Sequence, residues 1–166
     1  MIENKERGIL IFSKISSENN LYLKILTQKD EIITGVSFGG STKKKKNIFQ
    51  IGYFLNIVIK NKNKNFPNSI SAELSKPYYH NIFNDKYKLH ALLTLVSLLN
   101  ISIIEGQKVS GLFNLSENII EKLAYEKKWI INYFIFLLNL LKIIGYDIDY
   151  QQNTSKDYLN LDSLQF

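Results

Sequence analysis

Apolar residues in the first half of the chain fall in short runs at period two, and after Pro77 the period changes. Leu21-Tyr22-Leu23-Lys24-Ile25-Leu26-Thr27 puts Leu21, Leu23 and Ile25 on one side, the pattern of a half-buried strand. Gly8-Ile9-Leu10-Ile11-Phe12 is a continuous apolar run, separated from it by the turn formers Ser16-Ser17-Glu18-Asn19-Asn20. Glu31 to Val36 predicts a third strand. Ile51, Tyr53, Leu55, Ile57 and Ile59 alternate with their neighbours in a long fourth. After a polar turn at Asn61 to Asn65, Ser69 to Leu74 predicts a fifth, stopped by Pro77, which has no amide to give a ladder. Short strands with no crossover helix between them favour a small antiparallel barrel of the OB type.

Beyond Pro77 the spacing is helical. Leu89, Leu92, Leu93, Val96 and Leu99 share a face, which Leu95 and Leu98 broaden until the helix must be buried nearly all round. Asn114 or Ser116 is placed to cap a second helix from Glu117 to Ala124. Trp129, Ile130, Tyr133, Phe134, Leu137, Leu138, Leu141 and Ile144 line a third, with Gly145 where a left-handed C-cap belongs. A polar tail follows, with a weak strand at Tyr158 to Leu161. The expected fold class is α+β: a five-stranded OB-fold barrel over residues 1–76, then an α-helical domain over residues 78–166.

Charge sharpens this division. Residues 1–90 hold 15 Lys+Arg against 7 Asp+Glu, whereas residues 91–166 hold 6 against 8, so the net +6 belongs to the first half. Codon bias toward lysine would not leave the second half acidic, and a one-sided positive field attracts polyanions, nucleic acid above all. The absence of cysteine excludes disulfides, thiol nucleophiles and thiolate metal sites. The start of the chain lacks the design of a secretory signal. The most apolar segment, Trp129 to Leu141, is 13 residues long, against the ~20 that span a bilayer. A cytoplasmic protein with no membrane partner is expected.

The charge concentrates in Phe38-Gly39-Gly40-Ser41-Thr42-Lys43-Lys44-Lys45-Lys46-Asn47-Ile48-Phe49-Gln50-Ile51-Gly52. A phosphate-binding P-loop would need a second glycine immediately before the lysine and a helix after it; here a strand follows. The expectation is a flexible basic loop between the third and fourth strands, opening on glycines. Adjacent lysines cannot all meet one compact ligand but can track a phosphate chain. Lys60, Lys62 and Lys64 extend the stripe into the next turn, and Tyr22, Phe38, Phe49, Tyr53 and Phe54 are candidate stacking platforms, some of which strand parity sends into the core. His80 and His90, ten apart and without helix-spaced partners, make no metal site, and Asp147 with Asp149 reads as a solvated turn. No catalytic constellation is visible, so neither enzymatic activity nor a cofactor is expected.

In their order and spacing these segments resemble the RecO family of bacterial recombination mediators. The resemblance rests on Gly8-Ile9-Leu10-Ile11, Ser17-Glu18-Asn19-Asn20-Leu21, Ile32-Ile33-Thr34-Gly35 before the lysines, Ala72-Glu73-Leu74 and Tyr87-Lys88-Leu89-His90-Ala91-Leu92-Leu93. It ends on Phe136 to Asp149, similar to the family's Leu-Leu-x-x-Leu-Gly-Tyr-x-Pro-Asp stretch. The resemblance implies an OB-fold that binds single- and double-stranded DNA, joined to a helical domain, in a nucleoid-associated protein that anneals strands. It further implies binding of the acidic C-terminal tail of single-strand DNA-binding protein and, with RecR, assistance in loading RecA. The implied DNA surface comprises Lys43, Lys44, Lys45, Lys46, Lys60, Lys62 and Lys64, with Lys24 and Arg7. Two departures stand out. The region from Asp147 to Phe166 lacks the cysteine zinc module of many relatives, leaving Tyr150, Tyr158, Leu161 and Leu164 to hold any hairpin there. Relatives also continue well beyond this length, so the chain is either a short member or a truncated piece. Apolar helix surface, at Leu95 or Phe136 for example, is then expected to lie exposed. The alternative is a protein-interaction adaptor acting through its helices, with lysines that only keep it soluble.

Overall fold

The computed structural model describes residues 2–61, 66–76 and 78–146. Within them five strands, β1 (Ile2–Ser17), β2 (Asn20–Thr27), β3 (Ile32–Ser37), β4 (Phe54–Asn61) and β5 (Ser69–Lys76), precede α1 (Tyr79–Phe83), α2 (Lys86–Ser102), α3 (Leu112–Tyr125) and α4 (Trp129–Ile143). The strands close into a barrel in the order β1-β2-β3-β5-β4, antiparallel throughout except where β3 and β5 meet in parallel at Val36 and Ser69. The fold is therefore α+β, an OB-like barrel followed by helices, as the alternation predicts.

The parallel closure depends on Gly35. A Cβ there would lie 2.6 Å from the Asn68 carbonyl oxygen, so only glycine lets the start of β5 reach β3. Asn68 holds the contact by accepting from the Val36 amide at 2.8 Å and donating its side-chain amide to the Thr34 carbonyl at 3.0 Å. β1 is much longer than the Gly8–Phe12 run because it serves two neighbours. Ile2 to Ile9 pairs with β4 and Gly8 to Ser17 with β2, while the charged residues between Glu3 and Arg7 hide the first half from a hydrophobic reading. β4 begins only at Phe54: Ile51 and Gly52 form a turn in which Gly52 adopts φ +86° and donates to the Leu10 carbonyl at 2.7 Å.

Two apolar clusters result. Leu10, Leu23, Ile25, Leu55, Ile57 and Ile70 fill the barrel, closed by Phe49 from the loop before β4. Ile9, Ile11, Leu26, Ile32 and Phe54 instead face outward and join Leu92, Leu95, Leu99, Phe113, Leu123 and Phe136 of the helices in one continuous core. The Tyr79 hydroxyl lies between the backbone groups of Phe54, and its ring stacks on Tyr53 at 3.5 Å; burial raises the Tyr79 phenol well above its ordinary range.

The helices depart from the sequence reading in three places. α1 is a single short turn of helix that the periodicity does not reveal. α3 starts at Leu112, five residues before the expected Glu117, so Asn114 and Ser116 are interior and neither caps it. The cap comes from the barrel instead: Asp30, in the β2–β3 turn, accepts from the amides of Gly111 at 2.8 Å and Phe113 at 2.9 Å. In α4 the apolar positions lie all round the helix, but only Phe136 and Leu140 are fully buried. Ile131 and Phe134 are 65% and 61% exposed, and Ile130, Ile135 and Leu138 are exposed as well. The uncovered surface thus lies there and not at Leu95 or Phe136, which are buried. Gly145 caps α4 as expected, with φ +102°, Gly145 donating to Lys142 at 3.1 Å and Tyr146 to Leu141 at 2.9 Å. The weak strand at Tyr158 to Leu161, the packing of Tyr150, Leu161 and Leu164, and the turn at Asp147 and Asp149 fall outside the described residues.

Candidate nucleic-acid interface

The loop between β3 and β4 is built from consecutive turns. Gly39 adopts φ +68°; Thr42 donates its amide and hydroxyl to the Gly39 carbonyl, and the amides of Lys45 and Lys46 return to the Thr42 carbonyl at 3.0 and 2.9 Å. The near end is tied to the β1–β2 turn, Gly39 donating to the Asn20 side chain at 3.1 Å and Ser41 to the Asn19 carbonyl at 3.2 Å. The far end is pinned by Phe49 in the barrel core. The basic loop expected between the third and fourth strands is present and is internally hydrogen-bonded. It carries Lys43, Lys44, Lys45 and Lys46 exposed, with no ion pair to any described residue. The helices grip the opposite end of β2 and β3, at the Asp30 turn, so the lysines stand at the barrel end remote from them.

The other candidate cations are differently placed. Arg7 lies at the junction of barrel and helices, paired with Glu117 of α3 at 2.8 Å and 5.4 Å above the Phe113 ring; Lys76 shares the same carboxylate at 2.8 Å. Lys60 pairs with Glu3 at 2.6 Å across β1 and β4, holding the Glu3 carboxyl below its usual range. Lys24 has no ion pair among the described residues and lies 5.8 Å over the Phe12 ring. Lys62 and Lys64 lie outside the described residues. A cleft of about 750 Å³ includes Lys5, Arg7 and Lys45, with Glu6 and Glu73 also on its wall, and this mixed charge makes it a poor anion site.

The aromatic candidates sort by strand face. Phe49 and Phe54 are core, and Tyr53 is stacked on Tyr79. Phe38 is 60% exposed, and Tyr22 is half-buried on the outer face of β2. Phe12 is a half-buried aromatic on the outer face of β1 that strand parity misses. Strict alternation puts Leu10 inward, Ile11 outward and Phe12 inward; Ile11 does face the helical core, but a bulge between Leu10 and Phe12 pairs Phe12 with outward-facing Lys24. Phe12 and Tyr22 then meet edge to face at 6.4 Å. Phe66, also outside the expected set, is 66% exposed two residues before the Asn68 that docks on β3.

His80 and His90 are both exposed, and among the described residues no cluster of three His, Asp or Glu side chains is arranged to hold a metal ion. Among them too, no helix is long and apolar enough to cross a membrane.

A closed five-stranded barrel with unpaired cations at one end, fused to a helical layer, defines a class: an OB-like protein with a basic surface and an appended helical region. A family model described as "Recombination protein O C terminal" matches residues 84–155. The chain is 28% identical over 145 residues, 87% of its length, to a DNA repair protein RecO of Rickettsia canadensis, and 27% identical over 157 residues, 92% of its length, to one of Rickettsia bellii. It is 25% identical over 145 residues to a RecO of Jannaschia. Over most of its length the chain is thus similar to proteins named DNA repair protein RecO, and over its helical part to the C-terminal region of that family. It spans 59% of the Rickettsia canadensis protein and 64% of the Rickettsia bellii one, about three-fifths of their length.

Proposed function

We propose that the chain is a non-enzymatic mediator of DNA repair and recombination that holds single- and double-stranded DNA on the barrel end carrying Lys43 to Lys46 and, by screening phosphate repulsion, lets complementary strands anneal. The relatives' name, DNA repair protein RecO, supplies the process. The observation that carries the reading is the lysine loop: four exposed ammonium groups, unpaired among the described residues, on a loop anchored at both ends. Anchoring lowers the entropy lost on binding, and each neutralised phosphate releases counterions. In this reading RecR, the acidic tail of single-strand DNA-binding protein and, through them, RecA are the partners, and the protein works in the cytoplasm on the nucleoid. No cofactor enters the mechanism.

Titrating a fluorescent oligonucleotide against salt, with the wild type and the variant carrying alanine at Lys43, Lys44, Lys45 and Lys46, tests the proposal. The log–log slope is expected to become shallower by up to about 3 units on single strands. Equal slopes would overturn the assignment. The exposed α4 face supports a second reading, an adaptor acting through its helices, which predicts negligible DNA affinity in both proteins and a peptide partner retained by the variant.

A further inference from the structure

Beyond the lysine loop, the outer face of β1, β2 and β3 carries a second unpartnered patch. Cross-strand pairs put Phe12 beside Lys24, Lys24 beside Thr34, Lys14 beside Tyr22, and Tyr22 beside Val36, all on the side opposite the barrel interior. Among the described residues, helices cover this sheet only toward its other end, at Leu26 and Ile32. Thr34 donates to Glu105 at the border between the two regions. The patch ends at Ser37, where the lysine loop begins. Its cations, Lys14 and Lys24, have no acidic partner among the described residues; of its two rings, Tyr22 is there by strand alternation and Phe12 because a bulge re-aims it.

Resting on the DNA-binding reading above, we propose that Phe12 and Tyr22, flanked by Lys24, form a stacking platform for the bases of single-stranded DNA and give this chain its discrimination between single strands and duplex. The lysine loop cannot discriminate, because phosphate is common to both forms. Ring faces can: unpaired bases are free to stack on aromatic side chains, whereas duplex bases are already stacked and paired. Lys24, held over the Phe12 ring, sits where it would neutralise the phosphate beside a stacked base. Stacking itself releases few counterions, so removing the two rings while Lys24 stays in place is expected to lower affinity with little change in the salt slope.

The test uses the full chain and the double variant Phe12→Leu with Tyr22→Leu, which keeps apolar bulk on the strands and removes the rings. Binding of an oligo-dT strand and of a duplex of equal length is measured across salt. The expected result is a loss of about ten-fold or more for the single strand, an unchanged duplex affinity and an unchanged slope. Phe12→Trp with Tyr22 intact retains single-strand binding. In wild-type protein, an oligonucleotide carrying 5-iodouracil is expected to photocrosslink to the peptide spanning residues 8–24, a readout independent of how the variants fold. Equal losses on both DNA forms, no loss on either, or crosslinks confined to other peptides would overturn the platform. If the wild type binds neither form, the DNA-binding reading itself falls; if it binds both and the leucine variant binds both equally well, the platform alone falls.

Discussion

Asp30 shows how one residue ties the two parts of the molecule together. It sits at φ +63° in the β2–β3 turn, a conformation that Asp tolerates better than most side chains, and from there it accepts both free amides at the start of α3. Its backbone contributes as well, the Asp30 carbonyl accepting from Val109 at 2.8 Å. A carboxylate at a helix N-terminus also favours the positive end of the macrodipole. Replacing Asp30 with alanine removes both acceptors and places an unsuitable side chain at positive φ, with an expected loss of about 1–3 kcal/mol in urea unfolding. Asp30→Asn keeps one acceptor and the turn conformation, so it should lose clearly less. Equal losses for the two variants would show that the cap contributes little.

At the level of single elements, α4 separates what the sequence reveals from what it conceals. Its helical period, its start near Trp129 and its glycine cap follow from local chemistry and are legible. Which side is covered is not, because apolar residues occupy nearly every position and only the packing of α2 and α3 selects Phe136 and Leu140. Phe136→Ala should therefore cost about 3–5 kcal/mol by chemical denaturation. Phe134→Ser, on the exposed side two residues earlier, should stay within about 0.5 kcal/mol. Comparable losses would mean that the Phe134 side is covered in solution. The strands give the same lesson. Period two identifies Leu21, Leu23 and Ile25 as interior, yet it fails at Phe12, where the bulge breaks parity; local cap chemistry likewise fails at Asn114 and Ser116, because the cap comes from a distant turn. The site divides along the same line: the lysine run is visible as composition, whereas its anchoring to Asn19 and Asn20 and the pairing of Arg7 with Glu117 depend on contacts remote in sequence.

Over the whole molecule, the change of period at Pro77 marks a change of architecture but not of core. Five barrel residues, Ile9, Ile11, Leu26, Ile32 and Phe54, turn their side chains out of the barrel and complete the helical core. Glu117 of α3 adds a polar bond across the same junction, holding Arg7 of β1 and Lys76 of β5 together. A barrel without its helices would expose those apolar side chains as one patch, and helices without the barrel would lose one wall of their core and the Asp30 cap. The two parts therefore stabilise each other and are expected to unfold as a single cooperative unit. Trp129, the sole tryptophan, packs against the helical core, so its fluorescence reports the helices, while strand loss is followed by circular dichroism. In guanidinium the two signals should share one midpoint, and Asp30→Ala, a barrel substitution, should lower both together. Two separate midpoints, or a barrel signal that outlasts the tryptophan signal, would mean that the barrel is stable without its helical wall.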